Sequence, residues 1–79
     1  MNPHDRRMIE EYQQTKERYE KLHKMLIRHD AKTLDFTPSC PIELLREQKA
    51  VMGRYLYILE VRAEIEDVDL NADLQTEGG

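Results

Sequence analysis

A seven-residue repeat of mostly apolar positions runs through the first part of the chain. Its members alternate at intervals of four and three residues, and they are Met8, Tyr12, Thr15, Tyr19, Leu22, Leu26 and His29. On an α-helix this spacing forms one continuous line of side chains, the a/d seam of a coiled coil. The other positions carry charges, including the favourable i,i+4 pair Glu17–Lys21. The sequence therefore predicts an amphipathic helix over residues 5–29 that packs its seam on another helix.

A proline-containing segment, residues 30–41, interrupts this repeat. A proline lacks the backbone N–H and disfavours the helical conformation in the residue before it, so the first helix cannot continue through the segment. Pro41 suits the first turn of a second helix over residues 42–66, with Ser39 or Cys40 as its N-cap.

The second helix carries more apolar surface than one neighbouring helix can cover. One line of side chains consists of Leu45, Gln48, Met52, Tyr55, Leu59 and Arg62, and a second consists of Leu44, Val51, Ile58 and Ile65. A helix packing on one neighbour needs an apolar stripe of only about 100°. We therefore expect an all-α fold, an antiparallel two-helix hairpin (residues 1–66) that assembles into a homo-oligomeric helical bundle. A twofold dimer is the simplest closure, and larger rings remain open.

Two residues inside the second helix have predicted packing roles. Gly53 costs about 1 kcal/mol relative to alanine in a helix interior, which favours a close approach of a neighbouring element at this position. Gln48 lies within the predicted seam, where a buried amide often determines helix register and the number of partners.

The charges of the chain are unevenly distributed. Residues 67–79 contain four acidic and no basic residues, whereas residues 1–66 contain twelve of each sign. We expect the acidic tail to be flexible. A neutral body with an acidic tail argues against binding to duplex nucleic acid, which requires an excess of basic residues. No run reaches the roughly 18 apolar residues of a membrane span, and the single cysteine excludes an internal disulfide. We expect a cytoplasmic protein.

The residues that could carry catalysis or bind a metal form no recognisable pattern. His4, His23 and His29 lack metal-ligand spacing, Cys40 stands alone, and there is no glycine-rich phosphate loop. A nucleophilic His29–Cys40 pair near the turn would lack an orienting third residue. We therefore expect no enzyme and no cofactor.

Six residues are candidates for binding an anionic ligand: Lys21, Lys24, Arg28, Arg54, Tyr57 and Arg62. The first three share one face of the first helix, where an arginine can bind a phosphate bidentately beside lysine charges. The two arginines of the second helix border its apolar lines, and Tyr57 is placed to stack on a base. A solvated charged face and interior tyrosines are the alternative interpretation.

The chain resembles a family of short phage proteins related to a small crAss-like phage protein. The resemblance spans roughly residues 5–66 and is carried by Leu44, Leu45, Gln48, Met52, Tyr55, Leu59 and Arg62, which match the family's pattern L-L-x-x-Q-x-x-A-M-x-x-Y-x-x-I-L-x-x-R. It implies a phage or prophage origin and no enzymatic activity.

Other very small phage proteins are oligomers that sequester nucleotide signals of bacterial immunity. By analogy, we expect this chain to bind a cyclic nucleotide or a cyclic ADP-ribose type signal at a subunit interface, in the host cytosol. The alternative is a helical adapter or inhibitor that docks on a host protein through its second helix. A structural accessory without a ligand is a third possibility.

Overall fold

The computed structural model describes residues 1–74 and places two antiparallel α-helices in them. Helix α1 spans Pro3–Asp30 and helix α2 spans Ile42–Glu66, with residues 31–41 between them. Contacts such as that between His4 and Glu66 join the beginning of α1 to the end of α2. The described residues contain no β-strand. The predicted all-helical hairpin is confirmed.

Helix α1 begins at an asparagine cap that the sequence analysis overlooked. The Asn2 side chain accepts a hydrogen bond of 2.8 Å from the Asp5 backbone N–H, and Pro3 takes the first helical position. An asparagine cap followed by a proline is a strong helix start, because the asparagine side chain accepts a free N–H of the first turn and the proline has no N–H to leave unpaired. The helix consequently starts two residues before, and ends one residue after, the predicted range 5–29.

Helix α2 begins without a side-chain cap. Pro41 occupies the N-cap position, and its carbonyl accepts hydrogen bonds from the backbone N–H groups of Leu44 and Leu45. The prediction of Ser39 or Cys40 as the cap is therefore wrong. At the other end Asp67 adopts a left-handed conformation (φ 56°), and its N–H bonds to the Ala63 carbonyl, which stops the helix.

The hydrophobic core lies in the half of the hairpin where α1 begins and α2 ends. Its members are Met8, Ile9, Tyr12, Leu56, Leu59, Ala63 and Leu70. Ile9 is the most completely buried side chain, with 1% exposed, although it lies outside the predicted seam. It belongs to the same buried cluster as Leu70, a residue that follows α2 in the chain.

The face that α2 turns toward α1 differs from the predicted one. Leu59 of the predicted line is buried, but the other buried residues, Leu56 and Ala63, lie outside that line. Gln48, Tyr55 and Arg62 of the line are exposed. The placement of Gln48 in the seam is wrong, and its amide instead lies 3.9 Å from the Met52 sulfur. The second predicted line remains exposed along its whole length: Leu44 by 52%, Val51 by 64%, Ile58 by 41% and Ile65 by 78%.

The residues after α2 fold back over the core. The Gln13 side-chain amide donates hydrogen bonds to the carbonyls of Leu70 (3.1 Å) and Ala72 (2.9 Å), while Val68 and Leu74 pack against the core. These contacts involve part of the segment 67–79, for which the sequence predicts a flexible acidic tail, and the flexibility of residues 67–74 stays a prediction. Their apolar side chains gain burial that offsets the entropy of ordering. The remainder of that prediction, residues 75–79, lies outside the described residues.

Candidate ligand-binding site

A cleft with a volume of 470 Å³ opens between the helices in the half of the hairpin near the turn. We call it the turn-end cleft. Its wall on α1 is formed by Tyr19, His23, Leu26, Ile27 and Asp30, and its wall on α2 by Arg46, Lys49, Ala50 and Gly53. Aromatic, apolar and cationic groups therefore line one concave surface.

The Tyr19 ring fits into the cleft because the residue opposite it on α2, Gly53, has no side chain. A β-carbon at Gly53 would lie 3.2 Å from the Tyr19 Cε2 atom, closer than most such contacts. The close approach predicted at this glycine is confirmed, and the approaching group is a tyrosine ring. The ring also lies parallel to the His23 imidazole, at a centroid distance of 6.3 Å and an interplanar angle of 3°.

The cleft contains two cationic side chains in different states of pairing. The Lys49 Nζ lies 5.8 Å from the centroid of the Tyr19 ring, within cation–π range. Arg46 binds the Asp30 carboxylate through both of its terminal nitrogens. This hydrogen bonding, and to a smaller extent that from His29, holds the pKa of Asp30 below its usual value, and the same contact raises the pKa of Arg46.

These groups give the cleft the chemistry of a site for a planar anion. The Tyr19 ring and the Leu26 side chain supply apolar contact area, and Lys49 supplies a positive charge beside the ring. Bases stack on such rings with about 1–3 kcal/mol each, while lysine and arginine bind phosphate. Asp30 is the one carboxylate of the lining, and it is already bound to Arg46.

The predicted cationic face of α1 lies outside this cleft. Lys21, Lys24 and Arg28 are all exposed. The Lys21 ammonium forms the predicted i,i+4 ion pair with Glu17 at 3.2 Å. Lys21 also borders a separate, largely apolar depression that includes Phe36 near the turn.

The three candidates on α2 are placed differently from one another. Arg62 forms an ion pair of 3.4 Å with Glu66, the same carboxylate that accepts a 2.7 Å hydrogen bond from His4. Arg54 is exposed, and Tyr57 is exposed by 59%. Arg46, Ala50, Gly53 and Tyr57 follow each other at intervals of four, three and four residues. Tyr57 therefore lies one turn beyond the cleft along the same edge of α2.

Sequence reasoning missed Lys49 and Arg46 as candidates. One signal was available: Lys49 lies four residues after Leu45 and four before Gly53, and so interrupts the face that packs on α1. A cation at such a position requires either a polar partner or an opening between the helices. The contact of Lys49 with the Tyr19 ring across that opening fulfils this requirement.

Two structural features are absent from residues 1–74. This part of the chain contains no group of three or more histidine, cysteine or acidic side chains that could hold a metal ion. Neither of its helices combines the length and the apolar character needed to cross a membrane.

Comparison with known proteins identifies one related family. The family model described as Sequestin matches residues 2–65, which include both helices except the last residue of α2. No curated protein and no solved structure matches the chain.

Proposed function

The chain belongs to the Sequestin family, and from this membership and the turn-end cleft we propose that it is a small binding protein that sequesters a nucleotide-derived signal of bacterial immunity. The family name suggests sequestration. The observation that carries the proposed ligand class is the combination of Tyr19 and Lys49 in one cleft, 5.8 Å apart. A cyclic nucleotide or a cyclic ADP-ribose type molecule combines the base and the phosphate that these two groups would bind.

In this proposal the cleft binds its ligand in two parts. The Tyr19 ring stacks on a base, and Lys49 neutralises a phosphate next to it. Arg46 supplies a second phosphate contact by exchanging its bond to Asp30 for one to the ligand. Tyr57 extends the stacking surface along the edge of α2, which gives this sequence-predicted residue a place beside the cleft.

Sequestration requires no bond to be broken. The protein lowers the free concentration of the signal by binding it tightly, and the ligand leaves unchanged when the protein is unfolded. We propose that this takes place in the cytosol of a bacterial host and that the chain is of phage or prophage origin, as its resemblance to short phage proteins implies.

Isothermal titration with a panel of cyclic dinucleotides, cyclic trinucleotides and cyclic ADP-ribose isomers tests the proposal. We expect binding of at least one member and recovery of that member intact after heat denaturation. Replacement of Lys49 by alanine should weaken binding at least about tenfold, because it removes a charge-assisted contact worth about 1.5–3 kcal/mol.

Arg18→Ala is the matched control for Lys49→Ala. It also removes one positive charge from an exposed part of the chain, on the α1 helix and outside the cleft lining. Equal loss of affinity in the two variants would show that binding follows net charge and would assign the ligand to another surface. Absence of binding across the whole panel would contradict the proposed ligand class.

A second candidate function is a helical adapter or inhibitor that docks on a host protein. The exposed apolar line of α2, with Val51 64% and Ile65 78% exposed, favours it. Capture of a host protein that is lost with Val51→Glu and retained with Lys49→Ala would support this function over sequestration of a small molecule.

A further inference from the structure

Two parallel rings follow each other along the α1 wall of the turn-end cleft. His23 comes four residues after Tyr19, and the two ring planes enclose an angle of only 3°. The ring centroids are 6.3 Å apart. This separation is close to the rise of about 6 Å that four residues give along a helix. The two rings are therefore displaced from each other mainly along the helix axis.

The position of Lys49 shows which way the Tyr19 ring faces. Gly53 lies level with Tyr19, because a β-carbon on this glycine would be 3.2 Å from the ring. Lys49 precedes Gly53 by four residues, so it lies one turn closer to the end of the hairpin where residues 31–41 connect the helices. Its Nζ is over the Tyr19 ring, 5.8 Å from the centroid. Tyr19 thus presents a face toward that end of the hairpin, and His23 is the next ring in that direction.

The space between the two rings is nearly that of a third ring. Aromatic atoms in contact are about 3.5 Å apart, so a flat ring held between two others needs a separation of about 7 Å. The observed 6.3 Å falls short of this by roughly 0.7 Å. His23 is exposed and can rotate by this amount, whereas Tyr19 is partly buried and lies against Gly53. Tyr19 is therefore the fixed side of the space, and His23 is the adjustable side.

We propose that the planar base of a nucleotide inserts between Tyr19 and His23, so that each ring covers one face of the base. This inference rests on the proposed binding of a base and a phosphate in the turn-end cleft, and it adds His23 as a residue that determines specificity. We call the space between the two rings the base slot. Stacking selects a flat aromatic heterocycle and does not require a particular pattern of hydrogen bonds.

The cations of the cleft lie on the side of the base slot where a phosphate would follow. Lys49 is next to the slot, and Arg46 comes three residues closer to the connecting segment, where it binds Asp30. The cleft therefore changes from aromatic to cationic along its length. A nucleotide with its base in the slot would have its phosphate beside these cations, which bind phosphate favourably.

Adenosine 5′-monophosphate (AMP) and ribose 5-phosphate test the base slot, because they differ only in the base. Isothermal titration should show tighter binding of AMP to the wild type. His23→Ala should weaken AMP binding at least about fivefold, the lower value for one stacked face, and leave ribose 5-phosphate unchanged. His23→Phe keeps a flat ring and should retain the affinity for AMP within about twofold. His4→Ala removes an exposed imidazole outside the cleft lining and should change neither ligand.

Nuclear Overhauser contacts from the base protons of bound AMP locate the base. We expect contacts to the ring protons of both Tyr19 and His23. Contacts to Tyr19 alone, no binding of AMP, or an equal effect of His23→Ala on AMP and ribose 5-phosphate would overturn the base slot. An affinity for AMP that His23→Ala leaves unchanged would overturn it as well. If no cyclic nucleotide or cyclic ADP-ribose isomer binds while AMP contacts both rings, the signal class is contradicted and the slot is supported.

Discussion

The two halves of the hairpin are built differently. In the half where α1 begins and α2 ends, a third layer formed by residues 68–74 covers the helix pair, and Ile9 and Leu59 are at most 2% exposed. In the half near the turn a cleft opens between the same two helices, and the Lys49 Nζ lies 5.8 Å from the centroid of the Tyr19 ring there. Leu26 is buried there, but Leu22 and Met25 are only partly covered.

The difference teaches how a short chain can hold a binding surface. Small domains bury a limited fraction of their surface, so the apolar burial that is lost at an open cleft must be regained elsewhere in the molecule. Here the segment after α2 adds Leu70 to the core at the end opposite the cleft. The half where α1 begins and α2 ends therefore supplies the stability, and the half near the turn keeps its aromatic and charged groups accessible.

The largest expected loss of stability follows from a substitution in the core, in the half where α1 begins and α2 ends. Ile9→Ala should lower the free energy of unfolding by about 3–4 kcal/mol, because it removes a fully buried side chain and leaves a cavity. Ile27→Ala, at a cleft position that is 52% exposed, should cost less than about 1 kcal/mol. Urea denaturation followed by circular dichroism measures both, and similar losses would contradict the division between the halves.

A smaller loss is expected when the third layer is weakened. Leu70→Ala should cost about 2 kcal/mol, less than Ile9→Ala because a terminal segment can adjust around the missing atoms. Amide hydrogen exchange should also accelerate at Val68, whose N–H bonds to the Ala63 carbonyl. The exposed Asn71→Ala change serves as control. A cost for Leu70→Ala no greater than that of this control would show that the segment contributes nothing to the core.

The environment of the Tyr12 hydroxyl predicts that the free energy of unfolding depends on pH. Burial, and then its 2.6 Å hydrogen bond to Glu60, raise the pKa of Tyr12 to about 12 from its model-compound value of 10.0. A group whose pKa is raised on folding stabilises the protein below its unfolded pKa and loses that contribution as the pH rises through the folded value.

We therefore expect Tyr12→Phe to cost about 1 kcal/mol near neutral pH and progressively less between pH 10 and pH 12. Urea denaturation at several pH values measures this, with the exposed Tyr57→Phe as control. A difference between wild type and Tyr12→Phe that stays constant up to pH 12 would rule out the contribution of this hydroxyl.

The sequence predicted the helices better than the surfaces between them. The seven-residue repeat and the prolines define the hairpin, because helix formation and termination are local. The face of α2 could not be assigned, since its apolar residues surround most of the helix, and Leu56 and Ala63 compete with Tyr55 for the core. The cleft was missed for a related reason: Lys49 can be assigned to a binding site only once the fold places Tyr19 of the other helix opposite it.

The smallest expected change in stability belongs to Gly53→Ala, which tests how the cleft is kept open. Alanine favours a helix over glycine by about 1 kcal/mol, but its β-carbon would lie 3.2 Å from Tyr19 Cε2 and force the ring to move. We expect these effects to offset each other, so that the free energy of unfolding changes by less than about 0.5 kcal/mol. In a Tyr19→Ala background, where the ring is absent, the same exchange should stabilise by the full amount of about 1 kcal/mol. Equal stabilisation in both backgrounds would show that the ring does not press on the glycine.

A ring that presses on Gly53 also predicts an effect on binding. Gly53→Ala in the otherwise unchanged protein should then weaken ligand binding several-fold while leaving the fold intact, because it displaces the stacking surface of Tyr19 and removes no charge.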